Sequence, residues 1–204
     1  MRARTHANPF SFREALAPID LSTAFESPSP VVDIEIGTGT GLFLRHYASR
    51  FPDRNIIGVE VRKKMADLVA DRVASDGLKN AKMVYGTAEK LLDEALIGQV
   101  IDRVFVFHPD PWFKKRHHNR RVIRRQFLDQ LSAKMVGGGQ LYISTDVTEL
   151  WEAMVDTLSE ASWIPVQDPD FWDTLYTTHW KLYTESDARP QHTGIWRIPG
   201  TLNH

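Results

Sequence analysis

The sequence predicts an α/β domain built on a mainly parallel sheet with helices on both faces. Two observations carry this. Short apolar runs and helical stripes alternate five times between Val31 and Ala161. The first of those runs also breaks into a glycine-rich turn that opens a helix, the junction used by open parallel sheets. The length, 204 residues, and the composition, 42% hydrophobic and 25% charged, are those of a single globular domain. A chain of this size buries roughly 70% of its unfolded surface, so it needs no covalent staple.

Taken in order, residues 1–30 carry prolines at 9, 18, 28 and 30 and read as an N-terminal arm or cap. Within them SFREALAP is a candidate short helix, and residues 31–204 form the main domain. VVDIEI (31–36) is a strand that stops at Gly37. TGLFLRHYASRF follows with Phe43, Tyr47 and Phe51 on a helical stripe, and IIGVE (56–60) is the second strand. Met65, Leu68, Val69 and Val73 share one face of a helix from Arg62 to Ser75. KMVYG, AEKLLDEAL and IDRVFVF then read as strand, helix and strand. Residues 119–135 space Ile123, Phe127, Leu128, Leu131 and Met135 helically, and Gly137–Gly139 are expected to end that helix. QLYIST and VTELWEAMVDTLSEA are the fifth strand and its helix. In the tail, KLYTE and TGIWRI are expected to form two further strands, an antiparallel pair at a sheet edge.

Several function classes drop out early. Without cysteine there is neither a disulfide nor a thiolate metal site. His117 and His118 lack acids or thiols at ligand spacing, so no metal is expected. The opening MRARTHANPF has no apolar signal core, and no run approaches the ~20 apolar residues of a membrane span. A cytoplasmic chain is therefore expected. Its formal net charge of −1 means that an anionic partner has to be met by a local patch.

DIEIGTGTG places Gly37, Gly39 and Gly41 between the first strand and the first helix, where glycine lets a ligand approach the backbone. Glu60 ends the second strand 23 residues after Gly37, a spacing that suits a carboxylate accepting both hydroxyls of a ribose. Glu35 lies inside the strand, two residues before the first glycine. A carboxylate there is awkward for a dinucleotide, whose pyrophosphate would sit at the same loop, and well suited to a cation. S-adenosylmethionine offers a ribose, a sulfonium and an ammonium, and no phosphate. Acid, GxGxG, acid therefore favours the methyl donor over a nicotinamide dinucleotide. After the third strand, where a carboxylate or amide commonly holds an adenine amino group, this chain has Thr87.

FHPDPWFKKRHHNRR (107–121) follows the fourth strand, at the same end of the sheet as the glycine loop. Pro109 and Pro111 restrict the backbone around Asp110. Lys114, Lys115, Arg116, Arg120 and Arg121 come directly after it, and Arg124 and Arg125 follow. Cations interleaved with aromatics at the ligand end of a sheet are a nucleic-acid footprint. Trp112 has two open readings, a stacking platform for RNA or a packing wedge beneath the loop. His179, Trp180 and Trp196 read as packing of the tail.

These residues resemble the bacterial tRNA (guanine-N7)-methyltransferases, the TrmB family. The resemblance runs from about Val31 to Leu158 and is carried by EIGTGTG, IGVE, the PDPW–KKRHHNRR block and STD at 144–146; RTHANP is similar to the openings of some members. It implies a Rossmann-like S-adenosylmethionine-dependent methyltransferase fold with a mainly parallel seven-stranded sheet. It further implies S-adenosyl-L-methionine as cofactor and methyl transfer to guanine N7 in tRNA, at a variable-loop guanine. Glu35, Glu60 and Asp110 are implied at the cofactor, with Asp110 also catalytic, and Lys114 and Asp146 at the substrate. The chain departs from the family pattern at Thr87, which stands where Asp or Asn is usual, and at His108 and Phe113. In LYTE, Glu185 matches a C-terminal substrate element, and Thr184 or Tyr183 matches it only through a shift. The basic residues Lys114, Lys115, Arg116, Arg120 and Arg121 are then expected to neutralise tRNA phosphates. A monomer or a homodimer is expected, with no membrane and no metal as partner.

Three rival readings remain: a methyltransferase acting on a small molecule or protein, a tRNA-binding protein with a degraded cofactor pocket, and a dinucleotide oxidoreductase. The first leaves the basic block idle. The second predicts no saturable affinity for the methyl donor. The third has no account of Glu35.

Overall fold

A computed structural model describes residues 8–198; Arg4–Ala7 of the RTHANP motif lie outside the described residues. Seven strands, β1 (Val32–Ile36), β2 (Ile56–Glu60), β3 (Ala81–Tyr85), β4 (Ile101–Phe107), β5 (Met135–Thr145), β6 (Ile164–Val166) and β7 (His192–Arg197), form one sheet in the order β3-β2-β1-β4-β5-β7-β6. Strands β1 to β5 are parallel, and β7 runs antiparallel between β5 and β6. The helices are α1 (Leu42–Arg50), α2 (Lys63–Ser75), α3 (Ala88–Lys90), α4 (Arg125–Lys134), α5 (Thr148–Glu160) and α6 (His179–Ser186), with a π-helical turn, Leu91–Ala95, continuing α3.

The strand β4 shows why both faces are covered. Successive side chains of a strand point to opposite faces, and both sets here are apolar. Val104 and Val106 join Leu91, Phe127, Leu131, Leu150 and Leu158 in one core. Phe105 and Phe107 join Phe43, Tyr47, Val69 and Phe171 in the other. Sheet order reverses between β1 and β4, so a crevice opens at their carboxyl ends.

The seven-stranded, mainly parallel sheet matches the expectation, and several local readings need correction. KLYTE is not a strand but part of α6: Thr178 Oγ1 caps the helix by accepting the Lys181 N–H at 2.9 Å. Trp180, Tyr183 and Thr184 are spaced i, i+3, i+4, which is a helical period. The antiparallel partner of β7 at the edge is instead β6, three residues long and centred on Pro165, which an edge strand tolerates. Gly137–Gly139 do not end a helix. The register shifts where the partner of β4 moves from Met135 to Gln140, and the glycines absorb that irregularity inside β5. Gly138 sits at φ +82°. SFREALAP (11–18) is not a helix: a 3-10 turn, Pro9–Ser11, precedes it and overlaps it only at Ser11. Beyond it the backbone is drawn onto the α3 region instead, Leu16 N–H donating to Glu94 Oε2 at 2.7 Å and Ile19 N–H to the Ala95 carbonyl at 2.8 Å. Phe12 meets Tyr85 edge-on at 4.9 Å and Phe25 enters the core.

At the opposite end of the sheet a buried charge organises the strand starts. Asp33 on β1 accepts from Tyr47 Oη and from Arg54 Nε and Nη2, all at 2.7 Å, and from the Arg103 backbone N–H at 3.2 Å. Removing one partner of such a buried pair strands the other. Asp33→Ala is expected to lower the unfolding free energy by about 3 kcal/mol, read as a lower urea midpoint at unchanged slope.

Candidate active site

The crevice at the carboxyl ends of β1 and β4 holds a cavity of about 470 Å³. Its walls run from Glu35 and the glycine loop, past Glu60, Arg62 and Thr87, to His108, Asp110, Trp112, Arg120, His179 and Trp180. The loop from β1 to α1 is shaped by Gly37, Gly39 and Gly41, all with positive φ. At Gly37 an added Cβ would meet nothing within 4 Å, so the backbone there borders open space. At Gly41 it would come within 2.6 Å of Val69 Cγ1, so α1 can begin only with glycine where α2 crosses it.

Glu35 is 4% exposed, and its Oε2 has no hydrogen-bond partner among the described residues. Burial first, and the charge of Glu60 second, push its carboxyl well above the ordinary range, against the backbone N–H of Leu44. An orphaned buried carboxylate oxygen at the rim of a glycine cradle is a site built for a positive ligand. Glu60 is more occupied than its spacing suggests. Its Oε1 accepts from Arg62 N and Nε, and its Oε2 from Gly39 N and Arg62 Nη2, each at 3.0 Å. Four contacts fill a carboxylate's lone-pair positions. Thr87 lies on the cavity wall and caps α3, its Oγ1 accepting the Lys90 N–H at 3.3 Å.

The turn after β4 is strained on both sides of Asp110. His108 has φ 47° and Trp112 has φ 44°, in the left-handed region that side chains other than glycine seldom adopt. The turn is held from three directions. His108 N–H continues the sheet to the Ser144 carbonyl at 2.8 Å. The His108 ring is buried, with Nδ1 3.2 Å from Asp146 Oδ1 and Nε2 2.7 Å from Tyr176 Oη, which donates to Ser144 Oγ at 2.6 Å. Arg121 Nε donates to the Pro111 carbonyl at 2.9 Å. Burial works against the charge of Asp146, but hydrogen bonds from His108 and Trp180 outweigh it and hold its carboxyl well below the ordinary range. An ionised carboxylate only accepts, so His108 Nδ1 carries a proton.

Beyond the turn, Lys115–Arg120 form a 3-10 turn with Phe113 63% exposed beside the exposed Lys114, Lys115 and Arg116. Arg120 lies 4.9 Å over the Trp112 ring, and His117 meets that ring edge-on at 5.8 Å. His117 registers the local field: its imidazole is pulled below the usual value by desolvation, then by Arg120, Arg116 and Lys114.

Comparison with known proteins fits this geometry. Residues 29–196 match the family described as "Putative methyltransferase". A tRNA (guanine-N(7)-)-methyltransferase of Thermosynechococcus vestitus is 34% identical over 76% of this chain and 74% of its own length. Its counterpart in Prochlorococcus marinus subsp. pastoris is 35% identical over 84% and 86%, and that of Shewanella oneidensis 34% over 89% and 76%. The chain belongs to the tRNA (guanine-N(7)-)-methyltransferase family. Among solved structures, the 16S rRNA methyltransferase KamB superposes with a TM-score of 0.60 at 18% identity, over 88% of this chain and 91% of that one. A SAM-dependent methyltransferase from Aquifex aeolicus gives 0.57 at 15%, over 88% and 94%. Both show the fold, a Rossmann-like methyltransferase sheet.

Within this methyltransferase the residues singled out from sequence separate into groups. Glu35, Gly37, Gly39, Glu60, Thr87 and Asp110 line one cavity. Gly41 shapes the loop without lining it. Lys114, Lys115 and Arg116 project to solvent beside it. Arg121 does not join them: it is 8% exposed and its Nε donates to the Pro111 carbonyl, bracing the turn. Thr184 is 0% exposed, its hydroxyl donating to the Trp180 and Lys181 carbonyls and accepting from Gln191, so it faces the interior and not the cavity. Glu185 is exposed on α6 and pairs with Lys181 at 3.7 Å. Asp146 is buried and does not line the cavity; it is tethered to His108, Trp180 and Arg189, of which His108 and Trp180 do. Trp196 packs in the core as expected, but His179 and Trp180, read as tail packing, line the cavity. No pattern near Trp180 in the sequence signals this, because the antiparallel return through β7 brings α6 to the crevice.

The raised carboxyl of Glu35 has a stability signature. Below the ordinary carboxylate pKa both folded and unfolded states are protonated there and burial carries no electrostatic penalty. As pH rises past that value the unfolded state loses its proton while the folded state keeps it, so stability falls until the folded group also ionises. Glu35→Gln is expected to flatten this decline and to raise the Tm of the ligand-free enzyme at neutral pH by a few degrees, measured by thermal melts from pH 5 to 8.

Proposed function

We propose that the enzyme transfers the methyl group of S-adenosyl-L-methionine to N7 of a guanine in tRNA, with a variable-loop guanine as the target. One observation carries the reading. A single cavity joins a buried, unpartnered carboxylate oxygen and an open glycine cradle to a rigid Asp110 and an exposed basic loop. The cofactor fits the residues present. Glu35 would meet its cationic methionine portion, the backbone at Gly37 and Gly39 would border it, and Glu60 would receive the ribose if the half-exposed Arg62 side chain turned aside. Thr87 faces the adenine with one hydroxyl, already shared with the Lys90 N–H.

S-adenosylmethionine, when bound, supplies an electrophilic methyl on a sulfonium. Guanine N7 carries an in-plane lone pair and no proton, so the new N–C bond forms as the S–C bond breaks, its electrons returning to sulfur, and no base has to remove a proton first. The protein's task is alignment, worth up to ~7–11 kcal/mol in favourable systems. Asp110, fixed between two prolines and two left-handed residues, is placed to hydrogen-bond the N1–amino edge of the guanine and to attract the positive charge that passes onto the purine. That attraction accelerates transfer to the extent that it is stronger in the transition state than in the bound state. Lys114, Lys115, Arg116 and Arg120 neutralise phosphates around the exposed base. A tRNA substrate supports a cytoplasmic reading. No helix among the described residues is long and apolar enough to cross a membrane.

Labelled S-adenosylmethionine and unmodified tRNA, followed by N7-specific strand cleavage, test the reading: one labelled cleavage site is expected. Label without N7 cleavage moves the target atom, and salt-dependent binding without transfer leaves only an RNA-binding protein. Asp110→Ala is expected to reduce turnover about 10²-fold with tRNA affinity nearly unchanged, and equal losses in both would remove its catalytic role. Replacing Lys114, Lys115 or Arg116 with alanine should each lower the salt slope of tRNA binding by about 0.7–0.9, whereas Arg121→Ala should instead lower the Tm.

A further inference from the structure

We propose that Trp180 is the wall on which the target guanine stacks, a specificity-determining residue contributed by the C-terminal helix. The inference rests on the methyl-transfer reading above and names the part of the site that holds the base. Past Asp110 the cavity is closed by His108, Trp112, Val122, Thr178, His179 and Trp180. Attack through an in-plane lone pair requires the purine plane to contain the line from N7 to the methyl carbon. A flat apolar wall sets that plane, and hydrogen bonds to the base edge set the rotation within it.

Of the two tryptophans, Trp112 carries Arg120 4.9 Å over its face and His117 at its edge, whereas over Trp180 the Arg189 guanidinium stands off at 6.0 Å. Trp180 is braced toward the cavity. Its Nε1–H donates to Asp146 Oδ1 at 3.0 Å, and its ring packs on Tyr183 at 5.1 Å. Asp146 is held in turn by His108 at 3.2 Å and by Arg189 Nη1 at 3.2 Å, and His108 by Tyr176. Trp180 is tied by its single donor to a charged group that is itself tied to the residue preceding Pro109 and Asp110. Ring and carboxylate are thereby fixed in one frame, which is what orientation of a base against a reacting carbon demands.

The test is a binding cycle between the ring and the base. Transfer by the wild-type enzyme is established first, so that failure of the reaction itself is seen separately. The guanine it modifies is then replaced by an abasic site, and the affinities of intact and abasic tRNA are compared with saturating S-adenosylhomocysteine present. Wild type is expected to prefer intact tRNA about tenfold. Trp180→Ala should bind both within twofold, and Trp180→Phe should keep most of the preference while losing the Nε1–H bond to Asp146. Should the alanine variant not fold, Trp180→Leu retains apolar bulk without a stacking face and is expected to lose the preference likewise. Discrimination as large as wild type in a folded Ala or Leu variant overturns the proposal, as does a wild-type enzyme that binds intact and abasic tRNA alike.

Discussion

The turn that leaves β4 must accommodate two prolines and two left-handed side-chain-bearing residues within five positions, and such a turn persists only if its surroundings over-determine it. Here they do. A sheet hydrogen bond from His108, a guanidinium from Arg121 on the Pro111 carbonyl, and a buried imidazole between Asp146 and Tyr176 fix it from below, from the side and from behind. Each of those partners lies on a different element: Ser144 and Asp146 at the end of β5, Arg121 after the basic turn, Tyr176 before α6. The rigidity of Asp110 is therefore a property of the whole carboxyl edge, and the position of α6 depends on the same bonds.

The two halves of the cavity are built differently. One part is local: Glu35, the glycine loop, Glu60 and Arg62 come from one βαβ unit. The other is assembled from segments as far apart as His108 and Trp180, brought together because β7 returns antiparallel beside β5.

That division explains what was legible beforehand. Alternating apolar runs exposed the strands, and the spacing from Gly37 to Glu60 exposed acids that line the cavity, because both are periodic or near-neighbour signals. Arg121 looked like its neighbours Lys114 to Arg120 because charge patterning says nothing about which cation a proline turn will draw inward. Thr184 matched a family element through a shift, but helix packing buried its hydroxyl. KLYTE had the aromatic and β-branched composition of a strand. The cap at Thr178 and the crowding of the edge by β6 decided otherwise. Trp180 gave no sign at all, since its role comes from a partner 34 residues away, Asp146.

The glycines inside β5 have a consequence for how the edge is protected. Because the ladder to β4 slips between Met135 and Gln140, the stretch from Gln140 to Thr145 takes its alignment from Arg103–Phe107 on one side and from β7 on the other, not from the end of α4. The segment acts as slack in a cable. Irregularity absorbed by the glycines leaves Ser144 and Asp146 opposite His108, because their alignment comes from the strands on either side.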